Sequence, residues 1–280
     1  PMHNSISYLP NVPQYIALMH GPIMLGMKTG TEDMAHLIAD DSRFGQYASG
    51  KKLPINEAPI LINNDIEGIA NQLQPIPGKP LHFTLSTRMV NKIDGEIQPF
   101  FEIHDSRYMM YWLALSENSY EAYLAQLAKE EQERQALEAR TIDKVQPGEQ
   151  QPETDHKMET DHSQTGNTND VFWRDARDGH YFSYLMQTDG RTDLSMRLKY
   201  WGVGEWKTHE FDIFVDDVLV KSVNNTGKYR ISEFKYETYE IPSSLLQGKT
   251  HIRVKFVAKP GRQIGEIYGV RLIKAPASAL

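Results

Sequence analysis

One long helical segment separates two regions of short apolar runs, and this arrangement limits the fold more than any other feature of the sequence. The segment from Ser116 to Arg140 contains no Gly or Pro, and Asn118 and Glu121 have the spacing of an N-terminal capping box. The residues with helical spacing on one apolar face are Tyr120, Tyr123, Leu124, Leu127 and Ala128. We therefore predict a helix of about 22 residues whose first half packs on a sheet.

The segment that follows the helix, residues 146–170, has no periodic pattern of apolar residues. It is polar and is interrupted by Pro147 and Gly148. Loops of this length are unusual inside a compact domain unless they are functional or act as linkers. We predict a connecting helix over residues 116–145, followed by an extended strap over residues 146–170 that is ordered and packed.

Residues 171–280 contain repeated short runs that are typical of β-strands. The predicted strands are His180–Gln187, Asp193–Trp201, His209–Val215, Val218–Val223, Phe234–Ile241, His251–Ala258 and Glu266–Lys274. Asp216-Asp217 predicts a tight hairpin between the third and fourth of these strands. Short strands with turn residues between them indicate an antiparallel sandwich.

Residues 1–115 also contain strand signals. The apolar runs Tyr15–Met19 and Ile23–Leu25 are separated by Gly21-Pro22, and Asp94-Gly95 predicts a hairpin. The abrupt start on a strand indicates a module that is truncated at its N-terminal side. The predicted fold is therefore mainly β, with two β-sandwich modules, residues 1–115 and 171–280, joined by one long α-helix and an extended strap.

Charge and composition exclude several classes of protein. The net charge of −7 disfavours nucleic acid as a partner. No apolar run approaches the roughly 18 residues that a membrane span needs, so we expect no membrane span. Cysteine is absent, which excludes disulfides, thiolate metal ligands and a cysteine nucleophile.

Two acidic–histidine pairs, Asp155-His156 and Asp161-His162, lie in the predicted strap. Carboxylate and imidazole together can bind zinc. However, polar side chains in such segments more often bond the local backbone. We interpret the pairs as anchors of the strap and predict no metal ion and no cofactor.

A second polar group follows a predicted strand and consists of His104, Asp105 and Arg107. These residues have the chemistry to touch a ligand or a neighbouring domain. A turn in which Asp105 accepts backbone hydrogen bonds and Arg107 pairs locally is the simpler interpretation. We therefore treat the group as structural or interdomain.

Aromatic residues are frequent in the last module. Sugar rings stack on Trp and Tyr in carbohydrate-binding sandwiches, although large aromatics also dominate ordinary packing. Trp201 and Trp206 flank a predicted glycine loop. The candidate sugar-binding residues are Trp173, Trp201, Trp206 and Tyr268. The sequence has no nucleophile-elbow, phosphate-loop, zinc-protease or dinucleotide-binding motif, and we predict no catalytic residue.

Several stretches spread along the whole chain, in the same order, resemble the C-terminal part of glycoside hydrolase family 127, the bacterial β-L-arabinofuranosidase-type enzymes formerly called DUF1680. The stretches are Tyr15–Leu25, Asp40–Gly50, Pro77–Pro80, Ile103–Trp112, Gly148–His156, Trp173–Ala176 and Phe256–Leu272. The fourth stretch contains the polar group around Asp105. The fifth stretch lies in the strap. We predict that four of its residues have a structural or interdomain role: Gln151, Glu153, Asp155 and His156.

The resemblance implies an accessory region without a catalytic site. Members of the family have an N-terminal (α/α)6 barrel that carries a cysteine nucleophile, a zinc held by cysteines and a glutamate, and an acid/base glutamate. This chain has no cysteine and no barrel-like run of helices, so no catalytic residue carries over to it. The last module also resembles a galactose-binding-type jelly roll, which by itself does not define a ligand.

We therefore expect a non-catalytic C-terminal segment of a glycoside hydrolase that supports the catalytic barrel of the same polypeptide. The resemblance implies a bacterial parent protein that is periplasmic or extracellular. The alternative is that the last sandwich is a carbohydrate-binding module for plant-type, arabinose-containing glycans. The two functions are compatible with each other.

Overall fold

The computed structural model describes residues 2–34, 55–168, 170–202 and 208–275. The family-like stretch Asp40–Gly50 and the candidate Trp206 lie outside these residues. The chain divides into two compact units, Pro1–Glu130 and Glu131–Leu280. The fold is mainly β with two sheets in a sandwich-like or barrel-like arrangement, which confirms the predicted fold class.

The first unit contains short strands and part of one long helix. The strands are β1 (Asn4–Tyr8), β2 (Tyr15–His20), β3 (Ile23–Gly30), β4 (Ile60–Ile62), β5 (Leu73–Pro75), β6 (Phe83–Leu85), β7 (Arg88–Val90), β8 (Ile97–Pro99), β9 (Arg107–Met109) and β10 (Tyr111–Leu115). Short 3-10 helices cover Ile55–Glu57, Glu67–Gln72 and Phe100–Glu102, and the helix α1 spans Glu117–Arg140.

The strands of the first unit form one hydrogen-bonded sheet in the order β5-β6-β8-β3-β2-β10-β4-β7, with β1 paired to β2 and β9 paired to β3. All pairs are antiparallel except β4 with β10. The core of the unit includes the fully buried side chains of Leu18, Leu25 and Trp112. The apolar runs that predicted β2 and β3 therefore supply core residues.

The predicted hairpin at Asp94-Gly95 is wrong. The flanking strands pair elsewhere, β7 with β4 and β8 with β3 and β6. A Cβ atom on Gly95 would lie 3.1 Å from Cγ of Met27. The glycine thus permits close packing on the Met27 side chain, and the turn chemistry of Asp-Gly is not used for a hairpin.

The helix α1 begins earlier than predicted and is more exposed. The Ser119 N–H donates to Oγ of Ser116 at 3.1 Å, so Ser116 caps the helix instead of Asn118. Tyr120 and Tyr123 pack partly buried against a small cluster of Ile60, Ile62 and Leu113. None of the residues of α1 is fully buried, so the expected packing of its first half on the sheet is restricted to these two tyrosines.

The second unit contains longer strands. They are β11 (Thr141–Val145), β12 (Glu159–Thr168), β13 (Val171–Gln187), β14 (Leu194–Trp201), β15 (Glu210–Val215), β16 (Val218–Asn224), β17 (Phe234–Glu240), β18 (His251–Ala258) and β19 (Ile267–Lys274). The short helices α2 (Gln150–Asp155) and α3 (Ser243–Leu246) complete the described part of the unit. The segment 146–170 therefore holds α2 and the strand β12.

The strands of the second unit pair in the order β16-β15-β18-β13-β19-β14-β17, with β11 on β19 and β12 on β13. β13 pairs with β19 at Arg174 and with β18 from Tyr181 onward. Between these points Asp178 and Gly179 have φ of 50° and 82°, and there the strand passes from one layer to the other. After β13, the strands β15, β16 and β18 lie on one side of it in the strand order and β14, β17 and β19 on the other, so the chain crosses repeatedly between the two groups, as in a jelly roll.

One apolar core fills the second unit. Every second side chain of β18 is buried: Ile252, Val254 and Phe256 are 0% exposed. The same alternation holds for β14 and β15. The predicted hairpin at Asp216-Asp217 is confirmed, because Val215 pairs with Val218 and both aspartates have positive φ, as a type I′ turn requires.

Within the described ranges, no helix combines the length and the apolar character that crossing a membrane requires.

Candidate functional site

A groove of about 500 Å³ lies on the second unit, on the face of β14, β17 and β19 that points away from the core. Its volume is in the range of small-molecule sites. Its lining includes five cationic residues, two tyrosines and one glycine: Arg134, Lys144, Arg197, Lys199, Arg271, Tyr236, Tyr268 and Gly269.

Strand alternation places the groove residues together. On β14, Leu198 and Tyr200 point into the core, so Arg197, Lys199 and Trp201 share the opposite face. Pairing with β19 sets Arg197 opposite Arg271 and Lys199 opposite Gly269. Pairing with β17 sets Lys199 opposite Tyr236 and Trp201 opposite Phe234.

Gly269 is the one groove residue without a side chain. A Cβ at this position would lie 3.4 Å from Cβ of Lys199, which is ordinary contact. A methyl group would therefore fit beside the Lys199 stem, and the glycine simply adds no side chain to the groove. Glycine inside a strand often marks a place where another group approaches the backbone closely.

An aromatic row runs beside the cations. The Trp201 and Phe234 rings meet edge to face at 4.8 Å between centroids, and the Phe234 and Tyr268 rings do so at 5.3 Å. Lys199 Nζ lies 3.8 Å from the centre of the Phe234 ring, and the Arg197 guanidinium lies 4.7 Å from that of Tyr236. Burial raises the pKa of Tyr268 to about 12, so this phenol stays neutral at physiological pH.

One carboxylate neutralises part of the positive charge. Glu138 of α1 pairs with Arg271 at 2.7 Å and with Lys144. The hydrogen bonds from Arg271 and Lys144 lower the pKa of Glu138 to about 2. Glu138 therefore remains ionised and forms ion pairs with both cations.

The three candidate sugar-binding residues that the structure describes, Trp173, Trp201 and Tyr268, are not collected at one place on the surface. Tyr268 lines the groove but is only 1% exposed, and Trp201 adjoins it through Phe234. Trp173 is half-buried and lies against Gly166, where an added Cβ would be 2.3 Å from its Cζ2 atom. The sequence analysis did not identify Arg197, Lys199 and Tyr236 as candidates, although their side chains supply hydrogen-bond donors and an aromatic ring to the groove.

Glu153 is the centre of a buried polar network. Arg174 donates to its two oxygens from Nε at 2.6 Å and from Nη2 at 2.5 Å. The Gly148 N–H and the Tyr184 hydroxyl each donate to it at 2.8 Å. Burial alone would raise the pKa of Glu153, but these hydrogen bonds, led by that of Arg174, outweigh it and lower the pKa. The network fixes α2 to β13.

The other polar residues of the strap make contacts inside the second unit. His156 Nε2 lies 3.1 Å from Oδ1 of Asp143. Its Nδ1 donates to the Pro152 carbonyl at 2.6 Å. Gln151 donates to Asp155 at 2.8 Å along α2. These contacts stabilise α2.

A cluster of Asp161, His162 and His180 lies at a β-bulge between β12 and β13. Nδ1 of His180 is 2.9 Å from Oδ2 of Asp161, and His162 bonds Oδ1 of the same carboxylate. These hydrogen bonds, first that of His180, lower the pKa of Asp161. The three side chains offer ligand atoms within 4.8 Å of one another, but both oxygens of Asp161 are already bonded within the cluster. The sequence analysis paired Asp161 with His162 but did not identify His180. The pairing of β12 with β13 places His180 beside them.

His104, Asp105 and Arg107 lie at a turn of the first unit. Asp105 has a φ of 51°, and it is exposed together with His104. Nε of Arg107 donates to the Glu32 carbonyl at 2.7 Å, which ties the turn to the segment after β3.

A second groove, of about 350 Å³, lies on the first unit. Its lining includes Tyr15, Arg107, Tyr108, Tyr111 and Leu113. Tyr108 and Tyr111 are 48% and 39% exposed. This groove is therefore rimmed by exposed aromatic rings.

Two family models match the chain. Residues 5–114 match DUF4986, a domain of unknown function, and residues 136–273 match DUF6805, a family of unknown function. No curated protein matches the chain. Neither family description names an activity.

Solved structures of carbohydrate-binding modules are similar to part of the chain. A family 35 module from Clostridium thermocellum is 8% identical with a TM-score of 0.31, covering 42% of this chain and 92% of its own. The CBM36-1 domain of a multidomain xylanase from the hindgut metagenome of Trinervitermes trinervoides is 13% identical with a TM-score of 0.33, covering 48% and 98%. A CBM36 module in complex with calcium and xylotriose is 14% identical with a TM-score of 0.32, covering 47% and 99%.

Proposed function

We propose that this chain is a non-catalytic accessory region of a glycoside hydrolase and that its second unit binds carbohydrate. The observation that carries the proposal is the groove on β14, β17 and β19. It combines a suitable volume with an exposed aromatic ring, Tyr236, and with hydrogen-bond donors from Arg197 and Lys199. Carbohydrate recognition needs both an apolar ring face and donors for hydroxyl oxygens. The resemblance to family 127 stretches along the chain supports the same assignment.

Binding to soluble polysaccharides tests the proposal. In affinity gel electrophoresis, arabinan, arabinoxylan or polygalacturonate in the gel should retard the chain. Tyr236→Ala should abolish the retardation, because it removes the exposed ring of the groove. Tyr108→Ala is a matched control, since both tyrosines are 48% exposed and Tyr108 belongs to the first unit. A folded chain that migrates freely in all three gels would contradict the proposal.

A second candidate function is support of the catalytic barrel of the same polypeptide. The observation that favours it is the groove of the first unit with its exposed Tyr108 and Tyr111. Exposed aromatic patches are typical of interaction surfaces. The occupant we propose is the cysteine-containing barrel that the family resemblance implies, in a bacterial parent protein that is periplasmic or extracellular.

Two measurements test the second candidate. The chain alone should not hydrolyse an aryl β-L-arabinofuranoside, since it contains no cysteine nucleophile. When the barrel is co-expressed as a separate polypeptide, the chain should co-purify with it. The double variant Tyr108→Ala/Tyr111→Ala should weaken this association, whereas Tyr236→Ala should not. Enzyme-like turnover by the chain alone, or association that the double variant does not change, would count against it.

A further inference from the structure

The groove of the second unit has more positive charge than its own carboxylates neutralise. Its cationic side chains are Arg134, Lys144, Arg197, Lys199 and Arg271. Two carboxylates form ion pairs with members of this set: Glu131 with Arg134, and Glu138 with Lys144 and Arg271. Across the described part of the chain, neither Arg197 nor Lys199 lies within 4.0 Å of a carboxylate.

The placement of Arg197 is unfavourable for folding. It lies directly opposite Arg271 on the neighbouring strand, and like charges in this relation repel each other. Glu138 neutralises Arg271 and, within the described residues, forms no ion pair with Arg197. Nε of Arg197 is buried and has no hydrogen-bond partner among the described residues. Its guanidinium instead lies 4.7 Å from the centre of the Tyr236 ring, a contact that uses none of its N–H donors.

Lys199 is in the same situation. Its ammonium group lies over the Phe234 ring. Burial, and then the charge of Arg271, lower the pKa of Lys199, which is the direction expected when no carboxylate compensates the charge. An incoming anion would supply the missing negative charge to both side chains at once.

We infer that the groove selects glycans that carry acidic groups, in the first place the carboxylate of hexuronic acid residues. This inference rests on the proposed carbohydrate-binding function and specifies its ligand. A planar guanidinium bonds a carboxylate through two parallel N–H···O contacts, and a neighbouring ammonium adds a point charge. The exposed part of the Tyr236 ring adds an apolar surface beside the guanidinium, and Gly269 adds no side chain to the groove. A sulfate ester offers related anionic chemistry, so the experiment separates the two sources.

The experiment titrates the full chain, by calorimetry, with oligogalacturonate and with the same oligomer after methyl esterification. The two probes share one backbone and differ in charge. Dextran sulfate and dextran form the second pair. We expect at least tenfold tighter binding of oligogalacturonate than of its ester, and an affinity that falls between 0.05 and 0.5 M NaCl because exposed charge pairs are screened.

Charge-removing variants locate the site. Arg197→Met and Lys199→Met keep the side-chain stems, and each should weaken oligogalacturonate binding at least tenfold. The melting temperature of Arg197→Met should be unchanged or higher, because the repulsion with Arg271 is removed. A purely structural role for Arg197 predicts a lower melting temperature. Lys221→Met is the control, since Lys221 is an exposed cation on β16, at the other end of the strand order.

Each outcome has a distinct meaning. Equal binding of the acid and its ester overturns the inference but leaves the carbohydrate-binding proposal intact. Preference for dextran sulfate, with no preference for oligogalacturonate over its ester, replaces the carboxylate by a sulfate ester. Absence of binding to all four probes at 10 mM, with the chain folded, overturns the inference. In that case, retardation of the chain in gels with arabinan or arabinoxylan would still support the proposed carbohydrate binding, and free migration in both gels would contradict it.

Discussion

Glu153 and Arg174 form a buried two-point ion pair, with N···O distances of 2.6 and 2.5 Å. The side chains are 7% and 10% exposed. The pair joins the helix α2 to the long strand β13, and Tyr184 and the Gly148 N–H complete the hydrogen bonds of the carboxylate. A buried charge is tolerated when it is fully paired, and it becomes costly when one partner is removed.

Glu153→Ala should therefore destabilise the second unit by about 3 to 5 kcal/mol. The substitution leaves the Arg174 charge and two donors without their acceptor. The free energy of unfolding from urea denaturation measures the effect. Glu149→Ala removes an exposed carboxylate four residues earlier and should change stability by less than about 0.5 kcal/mol. Similar losses for the two variants would show that the buried pair has no special role.

The apolar periodicity of the second unit was sufficient to predict most of its strands. β18 begins and ends where predicted, and β14, β15 and β19 differ by one residue at one end. These strands bury every second side chain, so alternation is visible in the sequence. β12 was missed because it is an edge strand that pairs only with β13 and has no fully buried residue. An edge strand exposed on both faces needs no apolar pattern.

The groove illustrates what a single sequence lacks. The spacing of Arg197, Lys199 and Trp201 shows that they share one face of β14. Their role depends on the registers that bring Arg271 and Tyr236 beside them. Register between strands distant in sequence is not visible without a structure or an alignment. The sequence analysis predicted that Glu153 has a structural role in the strap, but it did not identify Arg174 as the partner of Glu153.

The pair formed by His156 and Asp143 should make stability depend on pH. Both ring nitrogens of His156 face acceptors, Asp143 Oδ1 and the Pro152 carbonyl. The hydrogen bond with Asp143 raises the pKa of His156 despite burial. A raised folded-state pKa gives stability that is complete below the unfolded value of about 6.5 and is lost as the pH rises through the folded-state pKa.

A double-mutant cycle with His156→Ala and Asp143→Ala measures this coupling. We expect about 1 to 2 kcal/mol at pH 5.5 and a clearly smaller value at pH 9. Burial works to raise the pKa of Asp143, but its hydrogen bonds, chiefly that with His156, lower it, so the aspartate is ionised at both pH values. His251→Ala, at an exposed histidine of the same unit, is the single-variant control for loss of an imidazole. A coupling energy that is the same at both pH values would disprove the charged pair.

Adjacent residues of α1 should differ in their effect on stability. Tyr123 packs against Ile60, Ile62 and Leu113, whereas Leu124 is 45% exposed. Tyr123→Ala should destabilise the first unit by about 1 to 2 kcal/mol, less than a fully buried aromatic. Leu124→Ala should stay within about 0.5 kcal/mol. Thermal melts of the two variants decide the matter, and a larger loss for Leu124→Ala would mean that the helix presents a different face to the sheet.

Gly166 of β12 should not tolerate a side chain. A Cβ atom there would lie 2.3 Å from Cζ2 and 2.7 Å from Cε2 of Trp173, the residue that pairs with it on β13. The indole would have to move, and its Nε1 is already buried without a hydrogen-bond partner in the described structure. Gly166→Ala should therefore cost about 1 to 3 kcal/mol, in the range of overpacked sites, and should alter the near-ultraviolet circular dichroism of the tryptophans. Asn167→Ala, at the next and exposed position of the same strand, should leave both the spectrum and the urea midpoint almost unchanged. If Gly166→Ala matches this control, Trp173 is free to leave β12, and the indole becomes available as a surface ring after all.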